Sequence, residues 1–268
     1  MVDDGPGLPP DYFTRPAQAR VWNYLQGGTD NYPMDRSVAD AMTQVYPGMA
    51  DLAKRTRQML MRAVRDVARD GRVRQFLDLG CGLPAPPGFA DVHEIAESFH
   101  ADARVVYVDN DRLVFTYATA WLRPTTPSGL CEYIEADARD TELILNQAAK
   151  TLDFDEPVGV IAFRVLGNIE YESSLRIVRD LMAAVPSGSH LLLSDGVALS
   201  DAHRESLRRR NTANIPSYTL RTPDEIGRYC DGLRLLEPGV VPVNRWRASP
   251  EEESESAAEQ YAAVAVKP

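Results

Sequence analysis

The sequence predicts an α/β fold in which a doubly wound, mostly parallel sheet carries helices on both faces. From residue 73 onward, short apolar runs with strand character alternate with segments of helical periodicity. Each helical segment is long enough to connect two parallel strands, so the alternation indicates repeated strand–helix–strand units. A glycine turn directly after the first strand is typical of the same fold class. The predicted strands of this alternation are residues 74–78, 104–109, 132–136, 158–165 and 190–194.

Helices are predicted between and after these strands, at residues 90–99, 113–122, 142–152, 171–185 and 201–210. A further helix begins at a capping box with proline in its first turn, residues 222–225, and ends at Asp231. Two more strands are predicted near the C-terminus, at residues 233–236 and 261–266. The acidic stretch 251–255 separates residues 240–247 from the last strand.

Three helices are predicted before the first strand. The first covers residues 16–26 and stops at Gly27 and Gly28, the second follows Pro33, and the third covers residues 50–69. The first dozen residues are rich in proline and glycine, which predicts a loose tail. We therefore expect a helical cap over residues 1–70 and an α/β core over residues 71–268.

Composition excludes several classes of protein. With 44% apolar and 25% charged residues, the 268-residue chain is of globular type, and it contains no apolar stretch of the roughly 18–20 residues that a membrane helix needs. Its start is acidic and lacks the features of a secretory signal, and its three cysteines form no CxxC pair. A net charge of −10 repels phosphate backbones. We expect a cytoplasmic protein without a metal site that binds neither membranes nor nucleic acids.

The glycine turn is the strongest candidate for a ligand site. Gly80, Gly82 and Ala85 satisfy the G-x-G-x-x-A pattern of dinucleotide sites, which leaves a nicotinamide-dependent oxidoreductase open. Two features favour S-adenosylmethionine instead. Asp78 places a carboxylate where a pyrophosphate would be repelled but an ammonium or sulfonium attracted. Prolines at positions 84, 86 and 87 disfavour a helix beginning at Gly82 to bind a pyrophosphate.

Acids at the ends of the next two strands extend this site. Asp109, followed by Asn110, can accept the ribose hydroxyls of an adenosine. Asp137 can accept the adenine amino group while the neighbouring backbone, at Ala138, donates to the ring. Either acid can alternatively be the N-cap of the helix that follows it. Acids at the ends of three successive strands together predict S-adenosylmethionine as the cofactor.

Several strings resemble a known family, the actinobacterial S-adenosylmethionine-dependent methyltransferases of the class I, Rossmann-like type. They are residues 21–32 (VWNYLQGGTDNY), 76–84, 92–94, 105–111 and 241–246 (VPVNRW). Most substrates of this family are unassigned; the three acids and a lid predict methyl transfer to a small-molecule acceptor, which we expect to be a secondary metabolite. The resemblance implies a seven-stranded sheet with an antiparallel last strand and an N-terminal helical lid. It also implies that Phe163 and Arg164, at the end of the fourth strand, line the methionine side of the cofactor.

Candidates for catalysis are weaker, because methyl transfer requires alignment of the acceptor and needs a base only when the acceptor is protonated. His93 follows the cofactor loop and Asp195 ends the fifth strand, so either can act as that base. The structural alternative is hydrogen bonding at a helix start for His93 and turn formation for Asp195. Many family members have histidine-containing segments after the fourth and fifth strands, and this chain lacks them.

Two further pairs are candidates for binding. Tyr24 and Tyr32, on either side of the Gly27-Gly28 break, can cover a sulfonium by cation–π contact, with core packing or surface capping as the alternative. Arg57 and Arg164 can pair with an acceptor carboxylate, but in so acidic a chain solvated ion pairs are favoured. Besides the methyltransferase, a non-methylating S-adenosylmethionine-binding enzyme and a regulatory protein stay open.

Overall fold

The structure is a computed structural model that describes residues 14–69, 73–249 and 258–268. Its centre is one sheet in the order β3-β2-β1-β4-β5-β8-β6, with β7 also paired to β8. Strands β1 to β5 are mutually parallel, whereas β8 is antiparallel to β5, β6 and β7. The strands are β1 Gln75–Leu79, β2 Arg104–Asp109, β3 Leu130–Glu135, β4 Val158–Phe163, β5 His190–Gly196, β6 Arg234–Leu235, β7 Val241–Pro242 and β8 Gln260–Val266.

The predicted α/β class and antiparallel last strand are confirmed, with a difference at the C-terminal edge. The strand predicted at 233–236 is only two residues long, β6, and the two-residue strand β7 was not predicted, so the described sheet has eight strands rather than seven. After β7 the chain is held against the third helix, because Arg62 donates to the carbonyls of Val243 and Trp246 at 2.6 and 3.2 Å. The acidic stretch 251–255 lies outside the described residues.

Nine α-helices occur in the described residues, besides a 3-10 helix at Leu166–Asn168: α1 Gln18–Leu25, α2 Pro33–Val45, α3 Met49–Arg69, α4 Val92–Glu97, α5 Arg112–Trp121, α6 Thr141–Ala148, α7 Tyr171–Ala184, α8 Asp201–Asn211 and α9 Pro223–Arg228. The capping box predicted for the last of them is present, with Thr222 and Glu225 bonding reciprocally. That helix ends at Arg228, three residues before its predicted end. None of these helices has the length and apolarity needed to span a membrane.

The helices cover both faces of the sheet because strand residues alternate between them. Phe76, Val105 and Ile161 pack with helices α1 to α4 in one apolar cluster. Their neighbours Leu77 and Val106 belong to a second cluster, which includes residues of α6, α7 and α9. The three N-terminal helices thus share a core with one face of the sheet. The division into cap and core at residue 70 stays a prediction, and residues 70–72 lie outside the described part.

A buried ion pair holds α1 against α2. The Arg20 Nε donates to Asp35 at 2.8 Å, and both side chains are almost completely enclosed. Asp35 also accepts from the backbone N–H groups of Ala17 and Tyr32 at 2.9 and 2.8 Å. A buried carboxylate is stable only when it is paired and hydrogen-bonded, so these donors dictate one position of α1. This matters because α1 lies over the ligand-binding edge of the sheet.

Candidate active site

A cavity of about 560 Å³ lies at the carboxyl ends of the parallel strands, with α1 along one side. The sheet order places β1 between β2 and β4, the point where open α/β sheets bind ligands. A volume of this size suits a cofactor or a drug-sized molecule. Nine of the predicted cofactor residues line it: Asp78, Gly80, Gly82, Asp109, Asn110, Asp137, Ala138, Phe163 and Arg164.

The turn after β1 requires glycine for two different reasons. Gly80 and Gly82 have φ of 65° and 67°, a conformation that side chains disfavour. A Cβ on Gly80 would lie 2.8 Å from the Val165 side chain, whereas one on Gly82 would meet nothing within 4 Å. The Gly80 and Cys81 N–H groups donate to the Val108 carbonyl at 2.7 and 3.2 Å. The turn is therefore bound to β2, and its backbone faces the cavity.

Asp109, at the end of β2, connects this turn to the next loop. Its Oδ2 accepts the Gly82 N–H at 3.0 Å and its Oδ1 accepts the Asp111 N–H at 2.9 Å. Burial raises the pKa of Asp109 to about 6, although these backbone donors act in the opposite direction. Each carboxylate oxygen has a second lone pair, so Asp109 can accept two more donors from a ligand.

Asp78 is a buried carboxylate that accepts no hydrogen bond from the residues that the structure describes. It is 4% exposed and lines the cavity. Among the described residues, none donates a hydrogen bond to it; Arg57 interacts with it only through its charge. Burial raises the pKa of Asp78 to about 7, with Arg57 lowering it and the acids Asp91 and Asp109 raising it. A buried carboxylate that lines a cavity and accepts no hydrogen bond from the described residues is stabilised by a cationic ligand group. The site therefore fits an ammonium.

The loop that carries the prolines is held by a second ion pair. The Arg57 Nη2 lies 2.6 Å from Asp91 Oδ1 and also donates to the Ala90 carbonyl at 2.9 Å. Asp91 accepts the Ala85 N–H at 3.1 Å and is the N-cap of α4. Helix α4 thus begins ten residues after Gly82, as the prolines predict.

The third acid, Asp137, forms an ion pair that was not predicted from the sequence. Arg139 donates to both of its oxygens, from Nε at 2.8 Å and from Nη2 at 2.6 Å. This pairing lowers the pKa of Asp137. Oδ1 also accepts the Arg139 backbone N–H at 2.9 Å, which uses both of its lone pairs, whereas Oδ2 keeps one lone pair for a ligand. The signal was present in the sequence, because an arginine two residues after a loop acid can fold back onto it.

Helix α1 presents Trp22, and not the predicted tyrosines, to the cavity. Tyr24 instead directs its hydroxyl to Asp40 at 3.3 Å, and Tyr32 precedes α2 with its ring near Arg20. Successive helical residues are rotated by about 100°, so residues 22 and 24 face opposite sides of α1. The structure does not bring Tyr24 and Tyr32 to the cavity. The Trp22 ring contacts the guanidinium of Arg164, 4.0 Å from the ring centroid.

His93 is buried on the far side of the cofactor loop and does not line the cavity. Its Nδ1 lies 2.9 Å from the Tyr107 hydroxyl, and its backbone N–H donates to the same oxygen at 3.0 Å. The Tyr107 ring stacks in turn on Tyr133. These contacts are the helix-start bonding that was the structural alternative. The catalytic role of His93 stays a prediction, and the position of this residue outside the cavity lining does not support it.

Asp195 is also fully buried and outside the cavity lining. Its Oδ1 accepts a short hydrogen bond from the Tyr218 hydroxyl and the Gly196 N–H at 3.1 Å, while Oδ2 is enclosed without a partner. Burial raises the pKa of Asp195 to about 6. Because Tyr218 packs between Asp195 and the cavity residue Arg164, the structure does not bring Asp195 into contact with an acceptor in the cavity.

The fold and the site define an α/β protein whose ligand cavity lies at the carboxyl edge of the sheet, with carboxylates from the ends of β1 and β2 and from the loop after β3. The comparisons with known proteins agree with this class. The chain belongs to the S-adenosyl methyltransferase family, whose model matches residues 12–268. It is therefore an S-adenosylmethionine-dependent enzyme of that class. The nicotinamide-dependent alternative is not favoured.

Two solved structures are similar over their whole length. A DUF574 family protein from Streptomyces avermitilis is 35% identical over 96% of this chain and 99% of its own, with a TM-score of 0.90. A putative methyltransferase from Thermobifida fusca is 34% identical over 100% of this chain and 99% of its own, with a TM-score of 0.86. No curated protein matches the chain.

Proposed function

We propose that this protein transfers the methyl group of S-adenosylmethionine to a small-molecule acceptor bound beneath α1. The observation that carries the proposal is Asp78, a buried carboxylate that faces the cavity without a hydrogen-bond donor among the described residues. The ammonium of the cofactor supplies the missing donor and charge. This assignment gives a function to a carboxylate at a position where burial raises its pKa to about 7.

Each cavity residue has a role in this proposal. Asp109 accepts the ribose hydroxyls through its remaining lone pairs, with Asn110 beside it. Asp137 accepts the adenine amino group, and the backbone at Ala138 donates to the ring. The Gly80–Gly82 backbone and the backbone at Phe163 and Arg164 line the methionine part. All of these residues line the same cavity.

In this proposal the protein orients the cofactor and the acceptor, and its side chains form or break no covalent bond. The cofactor, when bound, supplies a methyl group on a good leaving group. The residues of the cavity then orient an acceptor for in-line attack, and α1 limits the access of water. An acceptor that arrives deprotonated needs no base, which agrees with a cavity whose lining does not include His93 or Asp195.

A small acceptor fits the size and the charge of the site. A cavity of about 560 Å³ must hold both the cofactor and the acceptor. The net charge of −10 disfavours nucleic acid as the acceptor. Relatives from Streptomyces and Thermobifida support membership of an actinobacterial group. We extend the proposal to a secondary-metabolite acceptor methylated in the cytoplasm.

Calorimetry with S-adenosylmethionine, S-adenosylhomocysteine and NADH tests the proposal, with Asp109→Asn as the variant. We expect both S-adenosyl compounds to bind and NADH not to bind. Asp109→Asn keeps one carbonyl oxygen but loses the charge, so the affinity should fall by about 1–3 kcal/mol. Asp180→Asn, an exposed acid on α7, controls for net charge.

Two results would contradict the proposal. If S-adenosylmethionine does not bind, the cofactor assignment fails. If it binds but no compound of a metabolite library yields S-adenosylhomocysteine, the non-methylating enzyme or the regulatory protein becomes the better explanation. An unchanged affinity of Asp109→Asn would remove only the ribose assignment.

A further inference from the structure

We propose that the acceptor carries a carboxylate and that Arg164 binds it. The inference rests on the proposed function and adds the chemical class of the acceptor. Arg164 ends β4, lines the cavity and is 6% exposed. No described carboxylate lies within 4.0 Å of its guanidinium, although it is buried in a protein with a net charge of −10. The solvated ion pair favoured by the sequence is therefore not formed by Arg164, whereas Arg57 does pair with Asp91.

The contacts of Arg164 hold its guanidinium in place while using few of its donors. Nη1 donates to the Oε1 of Gln260, and Nε is enclosed without an acceptor. The guanidinium carbon lies 4.0 Å from the Trp22 centroid and 4.5 Å from the Tyr218 centroid. Cation–π contacts use no hydrogen-bond acceptor, so N–H groups stay unused. A rigid guanidinium with unused donors is suited to a carboxylate, which it can bind through two parallel bonds.

A second buried cation stands beside it. Arg210 is 3% exposed, and its partners among the described residues are neutral oxygens, those of Asn211, Pro216 and Asn168 at 2.8, 2.7 and 3.2 Å. Burial and the charge of Arg164 together lower the pKa of Arg210 to about 10. Asn168 and Pro216 also line the cavity. Two neighbouring buried cations repel each other, so an anion entering at this end of the cavity is stabilised by both.

Asp195 is close enough to Arg164 for the arginine's charge to lower the pKa of the acid. Asp195 nevertheless does not neutralise Arg164 and Arg210. It lies beyond 4.0 Å from the guanidinium, and one of its oxygens is already taken by Tyr218 and Gly196. Burial also raises its pKa to about 6, so part of its charge is lost in mildly acidic solution. The arginine end of the cavity thus keeps an excess of positive charge.

S-adenosylmethionine also carries a carboxylate. The position of that carboxylate distinguishes it from a carboxylate of the acceptor as the partner of Arg164. The ammonium and carboxylate of S-adenosylmethionine share one carbon atom, so the carboxylate lies near the group that binds the ammonium. Arg57 is the cation whose charge lowers the pKa of Asp78. Arg164 instead contacts Trp22, Tyr218 and Gln260. Because the Arg164 guanidinium is held against Trp22 of α1 and against Tyr218, we assign it to the acceptor, which in the proposed function binds beneath α1.

Paired probes test this directly on protein saturated with S-adenosylhomocysteine. The probes are 4-hydroxybenzoate with 4-hydroxybenzamide, and indole-3-acetate with indole-3-acetamide; each amide has the shape of its acid without the charge. Calorimetry should show each acid binding at least about tenfold more tightly than its amide. In Arg164→Gln the preference should disappear, and in Arg164→Lys it should be reduced but present. Arg74→Gln, an exposed arginine paired with Asp102 at the opposite edge, controls for net charge.

Three results would overturn the inference: equal affinity of acids and amides, failure of every acid to bind, or a preference that survives Arg164→Gln. A loss of S-adenosylhomocysteine affinity of about tenfold or more in Arg164→Gln, without an acid preference in the wild type, would assign the arginine to the cofactor and also overturn it. The comparison of acids with amides is made on the wild type, so it does not depend on whether Arg164→Gln folds. Failure of S-adenosylhomocysteine to bind the wild type would instead contradict the proposed function.

Discussion

The guanidinium carbon of Arg164 lies 4.0 Å from the centroid of the Trp22 ring. This contact joins the end of β4 to helix α1, so it connects the sheet to the N-terminal helix that borders the cavity. Both side chains line the cavity. A ligand that enters between the sheet and α1 must therefore meet this pair.

We predict that Trp22 reports cavity occupancy by its fluorescence. The chain has three tryptophans, and the other two do not line the cavity: Trp121 is 73% exposed at the end of α5, and Trp246 is fully buried. Titration with S-adenosylhomocysteine should change the emission of the wild type and leave that of Trp22→Phe constant. Trp121→Phe should keep the change. A signal that persists in Trp22→Phe would place the ligand elsewhere.

We predict that Asp78→Asn stabilises the ligand-free protein at neutral pH. Burial raises the pKa of Asp78 to about 7, whereas an unfolded aspartate titrates near 3.9. Between about pH 4 and pH 7 the folded state holds a proton that the unfolded state has released, so stability falls as pH rises through this window. The amide has no such dependence. Chemical denaturation at pH 5 and pH 8 should show the variant gaining roughly 1–3 kcal/mol relative to the wild type at pH 8.

The same substitution should have the opposite effect on the cofactor. Wild-type affinity for S-adenosylmethionine should rise from pH 5 to pH 8, because the ammonium binds the ionised carboxylate. Asp78→Asn should bind about 10- to 100-fold more weakly at pH 8 and lose most of this pH dependence. Asp102→Asn, an exposed acid at the opposite end of β2, should change neither property. Equal affinities of the wild type and Asp78→Asn would show that this carboxylate does not bind the ammonium.

We predict that Gly80→Ala is more damaging than Gly82→Ala. Both residues have positive φ, which costs an alanine roughly 1–2 kcal/mol. At Gly80 the new Cβ would also lie 2.8 Å from the Val165 side chain, whereas at Gly82 it would meet no atom within 4 Å. The free energy of unfolding should fall by the strain alone in Gly82→Ala and by clearly more in Gly80→Ala. Equal losses would mean that Val165 can move away without cost.

Much of the site follows from the order of residues along the chain. Asp78, Asp109 and Asp137 each come at or just after the end of a parallel strand. Because the carboxyl ends of parallel strands share one edge of the sheet, these acids had to meet there. The prolines after Gly82 likewise determined that α4 begins late, at Val92. These predictions needed only the type and sequence of the elements.

The partner of each charged or aromatic group was decided by the tertiary structure. Whether α1 presents Trp22 or Tyr24 depends on the rotation of the helix, which the buried Arg20–Asp35 pair determines across fifteen residues of chain. Arg57 and Arg164 look alike in sequence, yet one is neutralised by Asp91 and the other lacks a carboxylate within 4.0 Å among the described residues. Strand order brings residues to an edge, but only packing in three dimensions determines distances of a few ångströms. Electrostatic energies depend on those distances.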